Sequence, residues 1–333
     1  MNKEKQTLIN IIDRFAQKKI VVWGDFILDE YVYGNTRRIS REAPVLILSY
    51  HSKELSLGGA GNSLLNLQSL GADPIPVGVI GSNDSGKKII KILEQKAIST
   101  EYLHIEKNYQ TPIKTRIFAG EGHTRKQQIL RIDREEKIPE NSHLKKVLKQ
   151  NLKNIQPLSH ALLISDYNYY TVKEEIYTQV LPWFRKANIP VTLDSRFRLL
   201  NFKGVTVATP NEPEVEEALR IKINEDTKIL TTAGRFILRK IQSPALLITR
   251  GSKGMILFEK HKVPFLIPIH GPTDIVDVTG AGDTVISIFT LALACGATFR
   301  QAALLANFAG GRVVMKKGTA TISPFELKEA ILS

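Results

Sequence analysis

Short apolar runs of strand length recur along this chain and alternate with helical patterns, and that alternation limits the fold more than any other feature. The runs cover residues 18–25 (KKIVVWGD), 76–80, 161–164, 190–193, 205–208 and 245–248. Helical patterns lie between most of them, over 62–70, 86–95, 173–186 and 213–221. A run apolar at every position suits a strand buried on both faces, and strands separated by helices run parallel. The expected class is α/β, with helices on both faces of a mostly parallel central sheet.

Two regions break the rhythm. Residues 43–50 and 111–133 alternate like strands with no helix between them, and 111–118 can pair antiparallel with 127–133 around Gly120-Glu121-Gly122. We read them as a small inserted β lid, over about 30–55 and 108–135. It is too short to bury a core alone, so it must pack on the active site or on a second subunit. With no repeats and no long linker, residues 1–333 read as a single domain carrying that lid.

The chemistry concentrates in Asp277-Val278-Thr279-Gly280-Ala281-Gly282-Asp283-Thr284, followed by the apolar helical positions Val285, Ile286, Ile288, Phe289 and Leu291. Glycines let backbone N–H groups approach a ligand, and a helix N-terminus favours negative charge, so Gly280, Ala281 and Gly282 form a candidate anion hole. A carboxylate there, Asp283, can take a proton from a hydroxyl that attacks a phosphate. It can equally serve as a plain helix cap.

Other motifs sit at strand ends, where open α/β sheets bind ligands. Gly24-Asp25-Phe26-Ile27-Leu28-Asp29 offers two carboxylates, of which Asp29 is the harder to explain as turn chemistry. Gly58-Gly59-Ala60-Gly61-Asn62 opens a helix, and Asn62 either meets a polyhydroxylated ligand or caps that helix. In Thr209-Pro210-Asn211-Glu212-Pro213-Glu214, Asn211 can cap, while Glu214 stands between capping and holding Mg²⁺ through water. Thr249-Arg250-Gly251-Ser252-Lys253-Gly254 lines a nucleotide site or merely turns a hairpin. The segment 81–88 (GSNDSGKK) nearly matches a phosphate-binding P-loop, but Lys88 replaces the hydroxyl residue that would hold Mg²⁺. It reads as a turn capped by Asp84 or Ser85.

The net charge of +13 raises the question of nucleic acid, but the lysines are dispersed and lie in amphipathic stretches such as 143–149. We expect no nucleic-acid partner and no membrane partner. The first residues lack an apolar signal core, no long apolar span occurs, and the one cysteine, Cys295, cannot form an internal disulfide. The expected location is the cytoplasm.

Taken together, the segments 24–34 (GDFILDEYVYG), 37–48 (RRISREAPVLIL), 58–62 (GGAGN), 127–133 (QQILRID), 165–167 (SDY), 209–219 (TPNEPEVEEAL), 249–255 (TRGSKGM), 277–285 (DVTGAGDTV) and 318–324 (GTATISP) give the chain a resemblance. It resembles the ribokinase family of carbohydrate kinases over nearly its whole length. Within that family it is most similar to the heptose 7-phosphate kinases that form the kinase half of a bifunctional ADP-heptose synthesis enzyme of bacteria. The resemblance implies a ribokinase-like three-layer α/β/α fold. It implies transfer of a phosphoryl group from ATP to the anomeric 1-hydroxyl of D-glycero-D-manno-heptose 7-phosphate, with Mg²⁺ and a monovalent cation, K⁺, as cofactors. A kinase for another sugar phosphate, such as fructose 6-phosphate, or a non-catalytic sugar- or nucleotide-binding relative, are the alternatives.

The resemblance also implies roles. Asp283 would be the base, with Gly280, Ala281 and Gly282 as the anion hole. Asp29, Gly58, Gly59 and Asn62 would hold the sugar. Asn211 and Glu214 would face Mg²⁺ and the phosphates. Thr249, Arg250, Gly251, Gly254 and Asn307 would line the nucleotide site, and Asp277 would hold the monovalent cation. A substrate that already carries a phosphate needs cations at its far end, and Lys114, Arg116, Arg131 and Arg196 are the candidates. The lid would build a homodimer. Arg41, Asn168-Tyr169-Tyr170 and Ser195-Arg196 depart from the heptose kinase pattern, as does the long 120–124 hairpin before Arg125-Lys126. The chain ends soon after GTATISP, which leads us to expect a kinase without the nucleotidyltransferase half.

Overall fold

The computed structural model describes residues 3–120, 126–224, 226–271 and 276–333. The expected hairpin tip around Gly120-Glu121-Gly122, and Arg125 with it, falls mostly outside the described residues. Thirteen strands are described: β1 (Lys19–Gly24), β2 (Phe26–Ile39), β3 (Leu46–Gly59), β4 (Asp73–Gly81), β5 (Leu103–Glu106), β6 (Ile113–Gly120), β7 (Gln127–Arg134), β8 (Ala161–Asp166), β9 (Val191–Ser195), β10 (Val207–Ala208), β11 (Ala245–Thr249), β12 (Met255–Glu259) and β13 (Phe265–Ile267). The helices are α1 (Lys3–Ile12), α2 (Ala60–Ser69), α3 (Asp84–Gln95), α4 (Ser142–Ile155), α5 (Glu174–Lys186), α6 (Glu212–Leu219), α7 (Thr227–Lys240), α8 (Ala281–Ala294), α9 (Phe299–Val313) and α10 (Pro324–Leu332).

Nine strands form the main sheet in the order β13-β12-β11-β10-β9-β8-β1-β4-β5. It is parallel from β11 to β5, and only β12 and β13 run antiparallel. The continuous apolar runs have a simple origin. In β1, Ile20 and Val22 face a core beneath α1, α2, α8 and α9, while Val21 and Trp23 face a second core beneath α4, α5 and α7. Successive strand residues point to opposite faces, so a strand covered on both sides must be apolar throughout. In α8 every residue from Asp283 to Ala292 is buried, which fits a helix apolar all round.

A second sheet has the order β3-β2-β6-β7. The chain enters it at Asp25, the single residue between β1 and β2. This is the expected lid, including the antiparallel β6–β7 pairing that sets Arg116 opposite Arg131. It is larger than its sequence pattern implied. Residues 24–29 read as a strand end and turn, but Phe26–Ile39 is one long strand pairing with β3 through Gly59.

Local chemistry corrects three capping assignments. Asn83, not Asp84 or Ser85, caps α3, accepting from the Gly86 N–H. Gly59, not Asn62, is the N-cap of α2. Gly280 is the N-cap of α8, with Asp283 inside the first turn. In 143–149 the lysines do face outward: Leu144 and Leu148 are buried, and Lys145 pairs with Glu140 and Glu175.

Candidate active site

The candidate site lies at the carboxyl end of the parallel strands, beneath the lid. β1 delivers Asp25 there, β8 Tyr167, β9 Asp194, β10 Asn211 and β11 Thr249. Asp283 is only 4% exposed. One carboxylate oxygen, Oδ2, accepts from Asn62 Nδ2 at 2.8 Å, and Oδ1 accepts from the Tyr167 hydroxyl at 3.2 Å. Asn62 is itself fixed, because Asn66 Nδ2 donates to its carbonyl at 3.0 Å and Thr284 Oγ1 donates to Asn66 Oδ1 at 3.0 Å. This buried network bolts α2 to α8. Gly280 is required for it. Its φ is +78°, and a Cβ there would clash with Asn62 Nδ2.

Burial pushes the Asp283 carboxyl up to about 7; the Asn62 and Tyr167 hydrogen bonds oppose the rise, and Asp194 and Asp29 add to it. A carboxylate of that affinity is matched to proton abstraction near neutral pH. Beside it the first turn of α8 has no side-chain cap, so its leading amides can meet an anion. A Cβ on Gly282 would meet nothing within 4 Å, so open space adjoins the turn. That space continues into a cavity of about 130 Å³ lined by Thr249, Gly251, Gly254, Ala281, Gly282 and Asn307, among mostly apolar neighbours. Asn307 is anchored there by donating to the Pro268 carbonyl at 2.9 Å.

On the lid side, Asp29 Oδ1 accepts from Arg116 at 2.6 Å, and a Cβ on Gly58 would meet Asp29 Oδ2. Burial raises the Asp29 carboxyl, against the pull of Arg116. The four candidate cations therefore differ. Arg116 is committed to Asp29, and Arg131 forms a two-point pair with Asp133 at 2.8 Å. Lys114 is 4% exposed and stacks over the Tyr167 ring, 5.3 Å from its centroid; burial pulls its pKa down, and Arg196 pulls it further. Among the described residues no carboxylate lies within ion-pair distance of Lys114 or Arg196. A second cavity, of about 390 Å³, is lined by Arg131, Tyr167, Asn168, Tyr169 and Arg196 among others. Three of the positions that depart from the heptose kinase pattern, Asn168, Tyr169 and Arg196, thus meet in one place, beside the carboxylates Asp133, Glu135 and Glu136.

One expectation changes in the fold. Arg250 does not line the 130 Å³ cavity; its side chain is buried in a pair with Glu212 at 2.6 Å, tying the β11–β12 turn to α6. That turn is a genuine hairpin between β11 and β12, as one of the two readings of 249–254 had it. Asn211 and Glu214 form a reciprocal capping box, each accepting the other's backbone N–H at 2.9 Å. Glu214 nevertheless keeps company with the reacting groups. Burial raises it to about 7, with Asp283 adding to the rise, and Asp194 is pushed well up by burial and by Glu214. Asp277 accepts from Thr279 N–H at 2.9 Å and Gly318 N–H at 3.0 Å, which closes the loop leading into α8.

Tyr167 and Asp194 were not singled out from sequence. The signal for Tyr167 was present in Ser165-Asp166-Tyr167 at a strand end. Asp25 contributes indirectly. Its carboxylate accepts from the N–H groups of Tyr167 (2.8 Å), Tyr169 (3.1 Å) and Thr171 (3.1 Å), pinning the loop that carries Tyr167.

Comparison with known proteins now bears on this geometry. Residues 17–326 match the model of the pfkB family carbohydrate kinases. The chain belongs to that family. It is a sugar kinase of ribokinase-like fold. This kinase is 35% identical over 329 residues to the bifunctional protein HldE of Syntrophotalea carbinolica, covering 98% of the chain and 66% of that protein. It is 37% identical over 318 residues to HldE of Haemophilus influenzae, covering 95% of the chain and 64% of that protein. The chain thus spans about two-thirds of the length of these relatives. Among solved structures, Arabidopsis thaliana ribokinase complexed with ribose and ATP superposes with a TM-score of 0.69 at 21% identity, covering 95% of this chain and 99% of that one. Escherichia coli phosphofructokinase-2 in complex with fructose-6-phosphate gives 0.74 at 16% identity, covering 95% and 98%. These two likenesses concern the fold.

Proposed function

We propose that this kinase transfers the γ-phosphoryl group of ATP to the anomeric 1-hydroxyl of D-glycero-D-manno-heptose 7-phosphate, giving the 1,7-bisphosphate used for ADP-heptose and lipopolysaccharide core synthesis in the cytoplasm. The observation that carries the chemistry is a buried carboxylate, Asp283, with its affinity raised to about 7 beside uncapped helix amides. The substrate hydroxyl gives its proton to Asp283, its oxygen bonds to the γ-phosphorus, and the bond to ADP breaks. Gly280, Ala281 and Gly282 stabilise the charge that spreads over the transferring group. Asp29, Gly58, Gly59 and Asn62 hold the sugar, and the cavity from Thr249 to Asn307 receives the nucleotide.

Mg²⁺ fits this site. Asp194 and Glu214 are paired carboxylates that repel one another, an oxygen donor set suited to a hard divalent cation. Glu214, through water, and Asp194 would hold it, and its charge would offset that of the phosphates. Asp277 is our candidate for K⁺. The reading as a heptose phosphate kinase is supported by the likeness to HldE and by Lys114 and Arg196, cations near the second cavity that have no carboxylate within ion-pair distance among the described residues. We also propose a homodimer through the lid, supported by exposed Leu46, Tyr50, Ile129, Leu130 and Ile132 on its strands. The departures at Asn168, Tyr169 and Arg196, which line one cavity, favour a second reading: another sugar phosphate, such as fructose 6-phosphate.

The test is ATP consumption by purified protein with Mg²⁺ and K⁺, across heptose 7-phosphate, fructose 6-phosphate and unphosphorylated sugars. Selective turnover of the heptose phosphate is expected. Selective turnover of another sugar would remove the heptose reading and leave the phosphoryl-transfer machinery standing.

A further inference from the structure

The two hydrogen bonds to Asp283 are not equivalent. Asn62 belongs to the buried α2–α8 network and is wholly inaccessible. Tyr167 sits on a loop, is only partly buried, and lines the cavity shared with Arg131 and Arg196. Its position is nevertheless built. Its backbone N–H is held by Asp25 at 2.8 Å, and its ring lies against Gly59, where φ is +57° and a Cβ would approach the Tyr167 ring to 3.3 Å. Lys114 of β6 covers the ring from the lid. The Tyr167 hydroxyl is the donor to Oδ1 from the loop side and the Asn62 amide the donor to Oδ2 from the core, so an incoming hydroxyl can displace the first without disturbing the buried network.

We propose that Tyr167 is a positioning residue for the catalytic base: its hydroxyl holds Asp283 Oδ1 toward the cavity until the substrate hydroxyl replaces it, and its ring ties that exchange to lid strand β6 through Lys114. This rests on the reading of Asp283 as the base. Burial and the neighbouring Asp283 push the Tyr167 phenol well up, so it remains a donor across the working pH range. Its donation favours the ionised base. The groups facing Asp283 are Asn62 from α2, Tyr167 after β8, Asp194 from β9 and Asp29 from β2, with Glu214 of α6 nearby. With the Tyr167 hydroxyl gone, Asn62 is the one side-chain donor left on the Asp283 carboxylate among the described residues.

The experiment uses Tyr167→Phe, which keeps the ring against Gly59 and under Lys114. The acid limb of the pH–rate profile is expected to move up by about one pH unit, so that turnover near pH 6 falls about tenfold and recovers near pH 9. KM for ATP should stay within about twofold, since Tyr167 does not line the nucleotide-side cavity. A carboxyl ¹³C titration of Asp283 in the absence of substrate should show the same upward shift of its midpoint. An unmoved acid limb and an unmoved Asp283 midpoint would overturn the proposal, as would an equal loss of turnover at every pH. Asp283→Asn is assayed alongside. Parental turnover in that variant would remove Asp283 as the base and the role of Tyr167 with it, whereas an inactive Asp283→Asn with an unshifted Tyr167→Phe would remove Tyr167 only.

Discussion

Asp283 is held by donors on both oxygens, yet burial still wins and leaves its affinity near neutrality. Two consequences follow at this scale. Activity should decline as pH falls through about 7, since the protonated carboxyl cannot accept the substrate proton; a pH–rate profile reads this directly. Asp283→Asn should lower turnover by about 10²–10⁴ while ATP binding, followed by calorimetry, persists. The same variant should gain stability. A carboxyl raised from 3.8 to about 7 on folding supports the fold below pH 4 and loses that support as pH rises through 7. The melting temperature of Asp283→Asn should therefore exceed the parent's at pH 8, with the gap closing toward pH 4. The sequence placed this carboxylate beside a glycine turn, and no more than that. Whether it capped the helix or faced a reactant depended on Gly280 becoming the N-cap, a matter of backbone geometry that adjacent residues do not express.

At the scale of elements, the site depends on how α8 meets α2 and how the β11–β12 turn meets α6. Gly280→Ala puts a methyl into the Asn62 amide and strains a left-handed backbone. It should destabilise by about 1–3 kcal/mol in chemical denaturation and also lower turnover, because the same clash moves the base. Arg250 makes the opposite case. Its segment, TRGSKGM, looked like a nucleotide loop from end to end, but its side chain is buried against Glu212. Glu212 is only partly buried and lies in the first turn of α6, so Arg250→Met should cost about 1–2 kcal/mol of stability, with KM for ATP changing less than threefold. A fall in ATP affinity without loss of stability would contradict this placement. Local sequence identifies the turn, but it cannot say which of the turn's side chains face the cavity and which face the neighbouring helix.

At the scale of the molecule, the lid is a four-stranded sheet that the chain enters at Asp25 and first leaves where β3 runs into α2, and its strands expose Ile129, Leu130 and Ile132. If two lids meet, Leu130→Asp should convert a dimer into a monomer in sedimentation analysis and weaken sugar binding more than ATP binding. A monomeric parent would remove the proposed interface. The alternation of apolar runs and helical patterns determined the class of the fold and the place of many of the main-sheet strands along the chain, because a strand covered on both faces has to be apolar at every position; the order of the strands in the sheet came from the tertiary structure. The same chain signalled the anion-binding turn, the carboxylate in it and the lid strands, all of which depend on neighbours within a few residues. Only the tertiary structure decided which of the four candidate cations are already neutralised, that Tyr167 and Asn62 share the base between them, and that Arg250 does not line the cavity. Most of those outcomes join residues far apart in the chain, from 38 positions for Arg250 and Glu212 to 221 for Asn62 and Asp283, and they rest on burial and pairing, which exist only once the elements have packed.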